Sequence, residues 1–253
     1  MKILQLLRDN ASRTKQPTNL VRNSTTEATI YIYDVIDGFW GVSAKSVIDA
    51  LASVADVPTV HIRINSPGGD VFEGRAIVEA IKRFAGKTIA HVDSLAASAA
   101  TSIAIAADEV EIATGAFFMI HNASAMVWGD KAAMRDTADL LEKVEGTIIA
   151  DYIAKTGQDA AAITAWMDAE TWFTADEAIA NGFVDRLAAT ATAENKAAKA
   201  WNLSAYAKAP AALLEPAAAP IPAAPAPVAD PAPAPAASAT QTNTNRLRLL
   251  QAM

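Results

Sequence analysis

Thr59-Val60-His61-Ile62-Arg63-Ile64-Asn65, followed by Ser66-Pro67-Gly68-Gly69-Asp70 and then Val71, is the stretch on which the fold turns. Apolar and polar residues alternate from Thr59 to Asn65, the period of a half-buried strand. Proline and two glycines break that pattern, and helical spacing takes over from about Val71 to Phe84. Upstream, Ala28–Asp34 (A-T-I-Y-I-Y-D) is β-branched and aromatic, and Ser43–Val54 carries helical spacing, which completes a βαβ unit. Downstream the alternation continues with a strand at Thr88–Asp93 and a small-residue helix from Ser98 to about Ala106. Two strands follow, Glu109–Thr114 and Phe117–His121. Strands separated by helices of this length imply a largely parallel sheet covered by helices, an α/β domain.

A long amphipathic pattern runs from about Lys131 to Lys155, with Leu140, Leu141, Val144, Ile148, Ile149, Tyr152 and Ile153 near helical spacing and Gly157 as a stop. Thr174-Ala175-Asp176-Glu177 matches a capping box, Asn181-Gly182 closes that helix, and Val184–Leu187 reads as a last strand. Residues 1–25 lack a sustained period and read as an N-terminal arm or a short docking element, leaving a domain over 26–190. Nine of the twelve prolines lie between Pro210 and Pro235, so 191–253 reads as an Ala/Pro-rich tail. It ends in a short basic and apolar tip, Asn245–Leu250.

The net charge of -7 and the absence of a basic, aromatic-studded surface argue against nucleic-acid and anionic-membrane partners. With no cysteine, disulfides, thiolate catalysis and sulfur-ligated metals drop out. No secretory leader and no apolar run of about 20 residues is present, so a soluble, cytoplasmic protein is expected. No metal or cofactor is called for.

Three short stretches carry chemistry. Ser66–Asp70 is a turn whose glycines can present backbone N–H groups to an oxyanion or a phosphate, although most such turns are plain punctuation. Ser98, in L-A-A-S-A-A, follows a strand and opens a helix, where developing negative charge is favoured; alone, such a serine is more often a cap. His121 ends F-F-M-I-H at a strand terminus, whereas His61 and His91 lie inside strands and read as structural. Together these supply a hydroxyl, a base and N–H donors in order along one α/β unit, which is what acyl transfer needs.

I-N-S-P-G-G at 64–69, A-A-S-A-A at 96–100 and M-I-H-N at 119–122 resemble the Clp proteolytic subunit (peptidase family S14). T-G-Q at 156–158 and F-T-A-D-E-A-I-A-N-G-F-V-D at 173–185 extend the likeness over roughly Ile30 to Leu187. The resemblance implies a crotonase-like spiral α/β fold with a handle helix, and a serine endopeptidase with a Ser-His-acid triad. Ser98 would be nucleophile and His121 base, with the N–H groups of Gly69 and Ala99 forming the oxyanion hole. The family's acid position falls on Glu170, with Asp168 as the rival. The segment Asn122-Ala123-Ser124 lacks the proline and paired glycines usual there. The E-T-W-F-T-A-D-E-A signature and the appended tail resemble the Clp-related head maturation proteases of tailed phages. That implies a homo-oligomer acting on capsid or scaffold protein in proheads, with no unfoldase required.

Three alternatives remain open at this point. One is an acyl-CoA hydratase or isomerase on the same fold, for which cleft acids and a basic CoA site are not evident. Another is a Ser-Lys peptidase using Lys82, Lys87 or Lys131. The third is an inactive assembly protein.

Overall fold

The structure, a computed structural model, describes residues 3–10, 19–189 and 201–214, all within one compact unit. The chain begins with α1 (Ile3–Asp9), β1 (Asn19–Arg22), β2 (Glu27–Ile32), α2 (Ala44–Ser53), β3 (Thr59–Ser66) and α3 (Val71–Lys82). β4 (Lys87–Ala97), α4 (Ala99–Ala104), β5 (Glu109–Ile112), β6 (Phe117–Ile120) and the 26-residue α5 (Lys131–Thr156) follow. The last elements are α6 (Ala160–Asp168), β7 (Thr171–Thr174), α7 (Ala175–Ala180), β8 (Arg186–Leu187) and α8 (Ala211–Leu214).

Eight strands form one sheet in the order β1-β2-β3-β4-β5-β8, with β6 pairing β4 and β7. The β2, β3, β4, β5 and β8 ladder is parallel, as the βαβ reading requires, and β1 and β7 pair antiparallel to β2 and β6. Helix boundaries follow from local chemistry. The Asp70 carboxylate accepts from the N–H groups of Phe72 and Glu73 at the start of α3, and Asp130 does the same for Ala132 and Ala133 in α5. Gly157 ends α5 at φ 70°, and the capping box between Thr174 and Glu177 is formed.

Alternation along the strands separates two faces. Ile30, Ile32, Ile62 and Ile64 face Val47, Leu51, Ile77, Val78 and Ile81 of α2 and α3 in the main core. Each such side chain contributes about 1.5–3 kcal/mol by leaving water. Thr29, Tyr31, His61, Arg63, His91 and Asp93 fall on the other face. There His61 Nδ1 and His91 Nε2 lie 2.9 Å apart, His91 Nδ1 meets Glu111 at 3.0 Å, and Arg63 and Tyr33 share Asp93.

Two stretches differ from the sequence-based expectation. Residues 3–9, expected in an arm or a short docking element, form a regular helix, α1, with Leu6 fully buried, and β1 extends the sheet. Residues 201–209, expected in the tail, pack on the domain: Trp201, Leu203 and Tyr206 form a second apolar cluster with Leu6, Val35, Leu95, Ala97 and Met119. Residues 210–214, also expected in the tail, include the short helix α8, and the rest of the proposed tail, including Asn245–Leu250, lies outside the described residues. Among the described residues no helix is long and apolar enough to cross a membrane, and no cluster of His, Asp or Glu could hold a metal ion.

Candidate active site

The site is built where β4 changes partners. Its first half pairs with β3 and β5 through Val92; then a step of two positions along β3, from Ile64 to Ser66, is matched by a step of four along β4, from Val92 to Ala96. The excess bends the strand, and its far half, Leu95–Ala97, pairs with β6 instead. The expected strand ended at Asp93. The ladder to β6 carries it on through small residues of weak intrinsic strand preference.

This parallel register sets Ala97 opposite Met119, and Ser98 N donates to the Met119 carbonyl at 2.8 Å. Two residues past Met119 the chain reaches His121, whose Nε2 lies 2.8 Å from Ser98 Oγ. Ser98 itself sits at φ 55°, ψ -126°, between β4 and α4. A side-chain-bearing residue held there stores about 1–3 kcal/mol of backbone strain, a feature that clusters at active sites.

A buried relay fixes the serine from below. Tyr152 of α5 and Thr101 of α4 share a hydrogen bond of 2.5 Å, and Thr101 Oγ1 donates to the Ser98 carbonyl, also at 2.5 Å. Burial pushes the Tyr152 phenol up to about 12, so it remains protonated and can donate. Sequence reasoning placed Tyr152 on the apolar stripe of the long helix but did not foresee this polar task, because the partner lies 51 positions away.

The glycine turn lies directly against Ser98. A Cβ on Gly68, at φ 84°, would stand 2.7 Å from Ser98 Cβ and 2.4 Å from the Ala97 carbonyl oxygen, so only glycine fits. Ser66 Oγ holds the turn by donating to the Asp34 carbonyl at 2.7 Å and accepting from Gly68 N at 3.1 Å. The bridge from Ile36 to this turn uses the Gly68 carbonyl and the Asp70 N–H, so the Gly69 N–H takes no part in it. Ala99 N is the first N–H of α4, a position with no intrahelical acceptor.

Neither candidate acid bonds to the imidazole in this conformation. Glu170, itself at φ 49°, accepts from Trp172 Nε1 at 3.3 Å and Lys208 N at 2.7 Å through Oε1, and from Ala207 N at 3.1 Å through Oε2. Asp168 is exposed and accepts from Asn122 Nδ2 at 2.7 Å. Burial holds the His121 pKa down at about 4, against the opposing pull of the Glu170 carboxylate. His121 is therefore neutral at pH 7, the state a general base requires. Of the lysines weighed as bases, Lys82 is paired with Asp151 and Lys87 with Glu109, while Lys131 is exposed at the start of α5.

Tyr206 covers the pair. Its ring meets His121 edge-on at 5.4 Å and Trp172 at 5.7 Å, its hydroxyl donates to the Pro67 carbonyl, and Ser98 is among the groups that influence that hydroxyl. The aromatic and apolar spacing Trp201, Leu203, Tyr206 inside an alanine-rich stretch is the signal that could have revealed it.

Comparison with known proteins agrees with this architecture. A sequence model described as Clp protease matches residues 12–191. The chain is 29% identical over 163 residues to the ATP-dependent Clp protease proteolytic subunit 3 of Rhodococcus jostii, covering 64% of this chain and 81% of that protein. It is 32% identical over 155 residues to the corresponding subunit 1 of Chlamydia abortus, covering 57% and 80%. Among solved structures, a ClpP1 mutant from Listeria monocytogenes superposes with a TM-score of 0.57 at 24% identity, covering 63% of this chain and 90% of that one, which establishes a shared fold. With an α/β sheet of this topology and a family match across most of its length, the chain belongs to the Clp protease family and is a serine-type peptidase.

Proposed function

We propose that Ser98 is the nucleophile and His121 the general base of an endopeptidase, with the 2.8 Å contact between Ser98 Oγ and His121 Nε2 as the observation that carries the reading. His121, neutral at pH 7, takes the hydroxyl proton as Oγ attacks the peptide carbonyl. The N–H groups of Gly69 and Ala99 receive the developing oxyanion. The imidazolium then protonates the leaving amine, leaving an acyl-serine that water hydrolyses by the same proton route. Glu170 is the acid that orients His121, supported by its electrostatic influence on that imidazole. Asp168, exposed and bonded to Asn122, exerts no such influence on the imidazole and is the weaker candidate.

The substrate we infer is capsid or scaffold protein in an assembling phage head, cut by a homo-oligomeric ring without an unfoldase. The E-T-W-F-T-A-D-E-A stretch and the Ala/Pro-rich C-terminal region support that reading. A fluorophosphonate probe followed by peptide mapping tests the chemistry: the adduct is expected on Ser98 and absent from Ser98→Ala and His121→Ala. An adduct elsewhere, or His121→Ala labelling at the wild-type rate, removes these residues from the mechanism. Mass spectrometry of candidate capsid and scaffold proteins after incubation tests the substrate, and intact proteins throughout would remove the head-maturation role.

A further inference from the structure

The second apolar cluster raises a question that the peptidase reading does not answer. Leu95, Ala97 and Met119 point away from the main core on the two strands that carry Ser98 and His121, and are at most 1% exposed. Their cover comes from the chain's own ends. Trp201, Leu203 and Tyr206 are 6%, 1% and 4% exposed, with Leu6 of α1 packed among them.

Polar contacts tie this cover down at every step. Trp201 Nε1 donates to Asn65 Oδ1 at 3.0 Å, beside the glycine turn. Asn10 and Asn202 bond reciprocally, side-chain amide to carbonyl at 2.9 Å and N–H to amide oxygen at 3.0 Å. Ser204 Oγ donates to Asp9 at 3.0 Å. Lys208 Nζ donates to the Ala169 carbonyl at 2.5 Å.

Two of these features act on the chemistry itself. Tyr206 fills the space over Ser98 and His121 and uses the Pro67 carbonyl of the turn beside which a scissile carbonyl must lie. Meanwhile Ala207 and Lys208 draw both Glu170 oxygens onto their N–H groups, away from the His121 ring nitrogen that a triad acid serves. A segment that completed the site would leave the acid on the imidazole and the turn open to substrate.

We propose that residues 201–208 are an intramolecular plug that competes with polypeptide substrate for the Ser98 cleft and diverts Glu170, so that the folded chain is latent until the segment swings out. This rests on the Ser98–His121 reading. The open form is then a minor population, and apparent reactivity is reduced by that fraction.

The test uses the full-length chain and a fluorophosphonate probe, comparing the wild type with Tyr206→Ala and Lys208→Glu. Position 208 is exposed, and a glutamate there sets a carboxylate beside Glu170 without opening a cavity in the core. Both variants are expected to label Ser98 about ten-fold faster or more. Wild-type protein carrying a bulky peptidyl phosphonate on Ser98 is expected to lose hydrogen-exchange protection across 201–208. Two results overturn the plug while leaving the nucleophile in place: Lys208→Glu labelling at or below the wild-type rate with an unchanged Tm, or 201–208 staying protected once Ser98 is modified. No Ser98 adduct in any of the three chains removes the nucleophile and the plug together.

Discussion

Replacing Gly68 by alanine should damage stability and reactivity at once, for reasons that separate cleanly. A side chain at φ 84° costs about 1–2 kcal/mol in backbone strain. The added Cβ would also stand 2.4 Å from the Ala97 carbonyl oxygen and 2.7 Å from Ser98 Cβ, neither of which is the far end of a flexible side chain. Relieving that overlap requires backbone movement, costing about 1–3 kcal/mol more. Gly115 supplies the control, since it adopts nearly the same angle, φ 87°, with nothing within 4 Å of its would-be Cβ. Gly115→Ala should therefore lose only the strain, about 1–2 kcal/mol, while Gly68→Ala loses about 2–5 kcal/mol in urea unfolding. The movement is also aimed at the nucleophile, and a displacement approaching 1 Å lowers the fluorophosphonate labelling rate about 100-fold. Gly115→Ala should label at the wild-type rate. Equal losses from the two substitutions, in both assays, would refute the contact between the glycine turn and Ser98 from which the prediction is worked.

Tyr152→Phe deletes the top of the relay but leaves Thr101 donating to the Ser98 carbonyl; urea unfolding should show a loss of about 1 kcal/mol. Asp70→Ala removes the acceptor for Phe72 N and Glu73 N and should cost about 1 kcal/mol by the same measurement. His121 has a folded pKa near 4, below the ordinary histidine value of 6.5, so its unfolded form binds the proton first as pH falls. Its share of stability is intact above pH 6.5 and falls progressively toward pH 4, by about 3 kcal/mol. His121→Gln should flatten that part of the stability–pH curve. The labelling rate of Lys208→Glu should fall off at a higher pH than that of the wild type, because an opened site returns the imidazole to water.

Much of the frame is legible in residue order. The periods of Thr59–Asn65 and Val71–Phe84 and the capping box at Thr174 each agree with the tertiary structure, so β3, α3 and the start of α7 stand where local chemistry puts them. The short stretches around Ser98 and His121 suggested a pair because, with the glycine turn, they supply the hydroxyl, base and N–H donors that acyl transfer needs. Less was visible where tertiary contacts override composition. The far half of β4 is serine, leucine and alanine, and becomes strand because β6 lies beside it. Helix α6 has four alanines among its nine residues, and only Ile163 and Met167 bury fully. Trp201, Leu203 and Tyr206 sit in surroundings that resemble a linker, and no local pattern says what they cover. The orientation of the Glu170 carboxylate depends on N–H groups 37 and 38 positions away, which register counting along the chain does not reach.

The shared use of one strand by β5 and β6 also dictates where this chain tolerates changes in length. β5 lies along residues 89–92 of β4 and β6 along 95–97, so the two run almost end to end and are joined by only Ala113–Ala116. Deleting or inserting a single residue in that joint would turn β6 over, sending Met119 into the main core and His121 to the opposite side of the sheet. Indels should accordingly be absent from this connection and concentrated in loops that do not meter the distance between base and nucleophile.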